Sequence, residues 1–144
     1  MRTEKIIFIE ISNERPDFRL VATWLWNGPH DIDSDGNSDN PASRQWTELY
    51  LCSRQNSDEM IDISPVSENP LILRVNGSTS EMVSRAAYFL AVETNGQLFT
   101  DEALSNSIGL EDLKLQVGNF DIENAMKRTR ESRWRKSSID KPYP

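Results

Sequence analysis

Residues 78–96 read STSEMVSRAAYFLAVETNG, and here the period of the apolar residues changes from that of every stretch before it. Met82, Val83, Ala86, Phe89 and Leu90 recur at three- and four-residue spacing, with Ala87 beside them, which is the broad apolar face of a helix. Ser78 and Glu81 have the spacing of a capping box, and Asn95-Gly96 supplies a left-handed stop. QLFT (97–100) follows at once and reads as a short strand.

Upstream the period is two. KIIFIEIS (5–12) sets Ile7, Ile9 and Ile11 on one face and Ile6, Phe8 and Glu10 on the other. RLVATWLW (19–26) is rich in β-branched and aromatic residues, and that composition predicts a strand. The polar stretch 27–43, with two prolines and two glycines, reads as a loop. WTELYLCSR (46–54) alternates Leu49 and Leu51 against Trp46, Glu48 and Tyr50. MIDISPV (60–66) and LILRV (71–75) complete a meander, with Pro65 and Pro70 at strand ends or an edge because neither can donate to a ladder.

Downstream, LEDLKLQV (110–117) fits helix or strand equally. DIENAMKRTRESRWRKSS (121–138) reads as a helix over about 122–136, with Asp121 as N-cap and Ile122, Ala125, Met126 and Thr129 on its inner side. Its second half holds Trp134 as its one large apolar residue, so that half is expected to project or to lie on the surface. IDKPYP (139–144) carries no ordering signal. The expected fold is α+β: an antiparallel sheet of five or six strands packed by one main helix (79–94). The expected organisation is a single domain over 1–120, followed by a basic C-terminal helix and tail at 121–144.

The 144 residues are 37% hydrophobic and 27% charged, the make-up of a chain that buries a core. The longest apolar runs are far too short to cross a bilayer, and MRTEKIIFIEISNE does not resemble a secretory signal. Cys52, the single cysteine, permits no internal disulfide; a cytoplasmic, reducing location is the expectation. The net charge of −7 is unevenly spread: 21 acids face 9 bases up to Met126, and 7 bases face 2 acids from Lys127 onward. The acidic body argues for a cationic partner and against binding nucleic acid through its main surface, and no membrane partner is expected. The basic end, KRTRESRWRK (127–136), interleaves Trp134 with arginines in a way compatible with stacking on nucleic acid. Its folding back onto acidic surface is at least as strong an expectation. The sequence leaves the oligomeric state open, a homodimer included.

DIDSDGNSDNPA (31–42) raises the question of a metal. Counted from Asp31, it places Asp31, Asp33, Asp35 and Asp39 at ligand positions 1, 3, 5 and 9 of a calcium loop, with Gly36 at the turn position. Position 12, which needs a bidentate carboxylate, is Ala42, and Pro41 sits inside the loop. The stretch is therefore expected to be mainly an exposed, solvated acidic turn built from good turn formers, and the alternative makes the four aspartates calcium ligands of weak affinity. His30 is the only histidine, so a histidine-based zinc cluster is excluded. Cys52 alternates within a strand and reads as a small packed residue. A Cys52–His30 dyad has no local support, and there is no phosphate-binding glycine loop or nucleophile elbow. No cofactor is expected, and no catalytic constellation emerges. Trp24, Trp26, Trp46 and Tyr50 bracket the acidic stretch. Tryptophan beside exposed acids is the make-up of a protein-binding surface, while about half of these rings are expected in the core.

SRQWTELYL (43–51), IDISPVSENPLIL (61–73) and SRAAYFLAVETNGQLF (84–99) together resemble the small single-domain immunity proteins of bacterial polymorphic-toxin and contact-dependent competition systems. Those chains run as a strand meander, an Ala-rich helix ending in a Thr-x-Gly turn, and a closing strand. The resemblance covers roughly residues 44–100. It implies a non-enzymatic, tight-binding inhibitor of a cognate toxin domain, and it transfers no functional residue because these families share no catalytic motif. Joined to the acidic composition, it makes Asp31, Asp33, Asp35 and Asp39, with Trp26 and Trp46, the expected partner-binding surface. A calcium- or small-ligand-binding module built on 31–39 is the alternative.

Overall fold

The computed structural model describes residues 2–144 and shows an α+β fold. Strands β1 (Ile7–Ile11), β2 (Ile32–Gly36), β3 (Leu49–Ser53), β4 (Met60–Glu68), β5 (Leu71–Gly77) and β6 (Gln97–Phe99) form one antiparallel sheet in the order β2-β3-β4-β5-β1-β6. Helices α1 (Phe18–Trp26) and α2 (Ser80–Thr94) pack on one face of it. Helices α3 (Leu110–Lys114) and α4 (Ile122–Arg130) and a 3-10 turn at Arg133–Lys136 follow. Among the described residues no helix is long and apolar enough to cross a membrane.

The alternation in β1 sorts its side chains as expected. Ile7, Ile9 and Ile11 join Leu49, Leu51, Ile61, Ile63, Leu73 and Val75 beneath the helices. Phe8 points the other way into a small cluster with Ile72 and Phe99, to which Leu104 of the following loop adds cover. Pro65 lies inside β4, past the last residue paired to β3, and the ladder to β5 is bulged directly after it.

Helix α2 lies where the apolar period places it, with one change at its start. Thr79 is the N-cap, accepting from the Met82 amide at 3.1 Å, while Ser78 Oγ accepts from the Met60 amide at 3.0 Å and so belongs to the sheet. Asn95 closes the helix in the left-handed region at φ 54°.

Two expectations are corrected upstream. Residues 19–26 are not a strand but lie within helix α1. Asp17 accepts from the Arg19 amide as N-cap, and Asn27 ends the helix at φ 67°. The run is apolar all round because neighbours cover it all round: sheet, α2, α4 and the 3-10 turn. Trp24 is fully buried, stacked 4.9 Å from Phe89, with Nε1 donating to the Arg85 carbonyl at 2.9 Å. The stretch 27–43 is not loop throughout, since Ile32–Gly36 pairs with β3 as an edge strand.

The basic C-terminal segment closes over α1, and it is not one helix to residue 136: α4 ends at Arg130. Arg128 donates to the carbonyls of Thr23 and Trp24, placing a cation at the C-terminal end of α1 where the helix dipole favours it. Arg135 pairs with Glu93 of α2. Arg19 lies with its Cζ 3.8 Å from the Trp134 ring centroid, and Ser137 Oγ donates to the buried Asp17 carboxylate at 2.7 Å. Part of the positive charge of this segment therefore serves the body's own interior.

Candidate protein-binding face

The outer face of the sheet is divided. Over β5, β1 and β6 it is occupied by the Phe8 cluster, whereas over β2, β3 and β4 its outward residues are exposed, Asp33 and Asp35, or partly exposed, Tyr50, Cys52, Met60 and Asp62. Register assembles this open half. Asp33 stands opposite Cys52, and Cys52 opposite Met60; Asp35 stands opposite Tyr50, and Tyr50 opposite Asp62. Glu48, just before β3, extends the same alternating row as Tyr50 and Cys52 while Leu49, Leu51 and Ser53 turn inward.

Four carboxylates thus surround Tyr50: Asp33, Asp35, Glu48 and Asp62. Asp33 is paired with Arg54 at 2.7 Å, with both side chains 61% exposed, and Asp62 with Arg2 at 2.5 Å. Exposed pairs of this kind are screened by solvent and contribute little, so they do not lock the face. The Asp33 carboxylate in turn holds the Arg54 guanidinium above its usual pKa. Among the described residues Asp35 and Glu48 are in no ion pair; the Asp35 carboxylate accepts only from the next amide, Gly36, at 2.8 Å. A shallow recess of about 250 Å³ lies between Asp35, Glu48, Tyr50 and Asp62. Hydrogen bonding to Cys52 and then burial push the Tyr50 phenol above its usual pKa.

Gly36 is required where β2 ends. Its φ is +154°, and a Cβ there would lie 2.3 Å from the Glu48 carbonyl oxygen. Asn37 next to it closes the excursion to β3, its side-chain oxygen accepting from the amides of Thr47 and Glu48 at 2.9 and 3.0 Å. Gly36 therefore serves a strand end, not the sharp bend of a calcium loop.

The expected site residues fare unequally. Asp33 and Asp35 lie together on the open face. Asp31, in the left-handed region at φ 59°, stands before β2 and accepts from Gln55 Nε2 at 3.2 Å, beside the β3–β4 turn. Asp39 is exposed on the irregular segment beyond and does not join them. The calcium-loop expectation is corrected on this geometry: extended, paired backbone spreads the aspartates along a strand instead of wrapping them round a centre. Among the described residues no three acidic, histidine or cysteine side chains converge on a point that fits a metal.

Trp46 is corrected as well. It is 1% exposed, its Nε1 donates to the Pro16 carbonyl at 2.8 Å, and it contributes to the core, not to a partner surface. Alternation placed it beside Glu48 and Tyr50, but β3 begins only at Leu49 and Trp46 belongs to irregular chain before it. Trp26 is half-buried at the end of α1 and packs against the main core. His30 lies with Ile32 and Ser53 on the helix side of the sheet, while Cys52 is on the outer face, so the sheet separates the two.

Glu48 and Asp62 are the members of this face that were not singled out from the sequence. The alternation in WTELYL and MIDIS marks both as pointing away from the leucines and isoleucines; only the pairing of β3 with both β2 and β4 brings them beside Asp35. No protein-family model, curated protein or solved structure matches the chain.

Proposed function

We propose that the protein is a non-enzymatic inhibitor, an immunity protein, that neutralises a basic bacterial toxin domain by docking it on the acidic outer face of β2, β3 and β4. The observation that carries this reading is the open half-sheet: Asp33, Asp35, Glu48 and Asp62 surround Tyr50, with Arg54 and Arg2 paired to two of them and Arg74 on the outer side of the neighbouring β5. The resemblance over residues 44–100 supports the same reading, since β3, β4, β5 and α2 lie in that stretch.

Such a face acts first at long range. A single-sign patch attracts an oppositely charged partner and raises the association rate, and charge complementarity then rejects wrong partners. Tyr50 and Met60 give the centre apolar area to bury, with the acids around them. Three strands about 4.8 Å apart and five residues long span only about 250 Å² in plane, against about 800 Å² per side of a standard interface. The docked area therefore extends beyond the strands, onto the β3–β4 turn with Asp58 and onto Asp31 beside it.

The test is capture from the producing cells at low salt, with wild-type protein and with Asp35→Lys/Glu48→Lys as paired baits. The reading expects one basic protein on the wild-type bait, released by raised salt and missing from the variant. Equal capture by both baits, or an acidic partner, overturns it.

A further inference from the structure

The two edges of the sheet are finished differently. At β6 the chain that follows closes the edge: Phe99 bridges Ser107, and the Leu98 carbonyl accepts from the Ile108 amide at 3.0 Å. At β2 the edge stays open. The Arg54 amide donates to the Asp31 carbonyl at 2.9 Å and the Asn37 amide to the Glu48 carbonyl at 3.3 Å, which fixes the phase of the β2–β3 ladder. Asp33 and Asp35 therefore turn their main-chain groups to β3, and Ile32, Ser34 and Gly36 turn theirs outward. The Gly36 amide is taken by the Asp35 carboxylate at 2.8 Å. Among the described residues no group meets the outward N–H and C=O of Ile32 and Ser34, and Ser34 is exposed.

A bare edge of this kind is a template for one more strand, and its flanks say which. Side chains of an added strand alternate between the two sides of β2 and meet the residues directly opposite. On the outer side stand Asp33 and Asp35, both exposed. On the inner side Phe18, Ala22, Ile32, Leu51, Trp134 and Tyr143 wall an apolar crevice of about 390 Å³. The strand that matches is basic at one position and apolar at the next. A second copy of this chain does not match. Antiparallel pairing of two β2 edges about Ser34 sets Asp33 of one copy opposite Asp35 of the other, and like charges directly opposite repel.

We propose that the partner docks by adding an extended segment, alternately basic and apolar, antiparallel to the open edge of β2. Its main chain pairs with Ile32 and Ser34, its basic side chains lie over Asp33 and Asp35, and its apolar ones enter the crevice. For the identity of the partner this rests on the inhibitor reading; the edge itself is testable without that partner.

The test is an NMR titration of the full chain with the acetylated and amidated peptide Lys-Val-Lys-Val-Lys, whose valines fall opposite Ser34 and Ile32. The Ile32 and Ser34 amides should shift saturably and exchange more slowly, and the Asp33 and Asp35 side chains should shift with them. N-methylating both valines removes the N–H groups that face β2 and should weaken binding at least about fivefold, the worth of two net hydrogen bonds. N-methylating the middle lysine, whose N–H faces away, should leave binding unchanged, and Glu-Val-Glu-Val-Glu should not bind. Ser34→Pro removes an outward N–H at a place where an edge strand tolerates proline; it should abolish the shifts while the β3 amides keep theirs. The methylated peptides decide on wild-type protein alone. No saturation, equal binding of the valine-methylated or the acidic peptide, or unchanged binding to Ser34→Pro each overturns the proposal. Self-association of the wild type that Ser34→Pro removes overturns it too, by making this edge a dimer seam. The inhibitor reading fails separately, on the paired-bait capture.

Discussion

Ser137 Oγ donates to Asp17 Oδ2 at 2.7 Å, joining positions 120 residues apart. Asp17 is wholly buried; it caps α1, chelates Arg19, and through Ser137 holds the C-terminal segment down. Removing the hydroxyl leaves a buried carboxylate one donor short. Ser137→Ala should cost about 1.5–3 kcal/mol, the usual range for a hydrogen bond to a charged group, seen as a lower urea midpoint with an unchanged slope.

Arg128 tests the closure of α1 from its other end. Arg128→Met keeps the aliphatic stem but removes the donors to the Thr23 and Trp24 carbonyls. The loss should again be about 1.5–3 kcal/mol, and the Thr23–Asn27 segment should exchange its amides faster than the rest of α1. Uniform exchange across α1 would contradict a capping role.

Trp46→Ala should behave as a core mutation, costing about 3–5 kcal/mol. Thermal unfolding reads it. If Trp46 instead faced a partner, the variant would keep its stability and lose only binding.

Asp101 gives a pH dependence. Its carboxylate accepts from the amide of Asn106 and then that of Ser105, which together hold its pKa below 3.8. The folded value is depressed, so the stabilisation is full above the ordinary carboxylate range and is lost as pH falls through the folded value. The 101–106 turn should therefore loosen in acid before the core does. The Ser105 and Asn106 amide shifts should move as the pH falls below about 4, and Asp101→Asn should abolish that movement.

The two helices on the sheet differ in how legible they are. Helix α2 declares itself because its apolar residues recur at helical spacing and caps bracket it. Helix α1 is buried on every side, so it shows only a short apolar run whose β-branched and aromatic content suits a strand equally well. The residues that decide are polar and sit outside the run: Asp17 before it and Asn27-Gly28 after it. Strand β2 fails for the opposite reason. Its sequence, IDSDG, has almost no strand propensity, and pairing with β3 alone makes it a strand.

The acidic face was half legible. Alternate spacing puts Asp33 and Asp35 on one side of any extended backbone, and the same rule turns Glu48 and Asp62 away from the core. Which strands lie side by side is a property of the assembled sheet, and no local period encodes it. Trp46 shows the converse limit, because alternation extrapolated past the true start of a strand assigns a core ring to the surface.

The most direct test of the acidic face is the association rate of wild type and Asp35→Lys/Glu48→Lys with the captured partner, measured by stopped flow across a range of salt. Docking through this face predicts association at least about tenfold slower for the variant at low salt, with a shallower salt dependence and convergence at high salt. Equal rates and equal salt slopes would contradict it and place the partner elsewhere on the molecule.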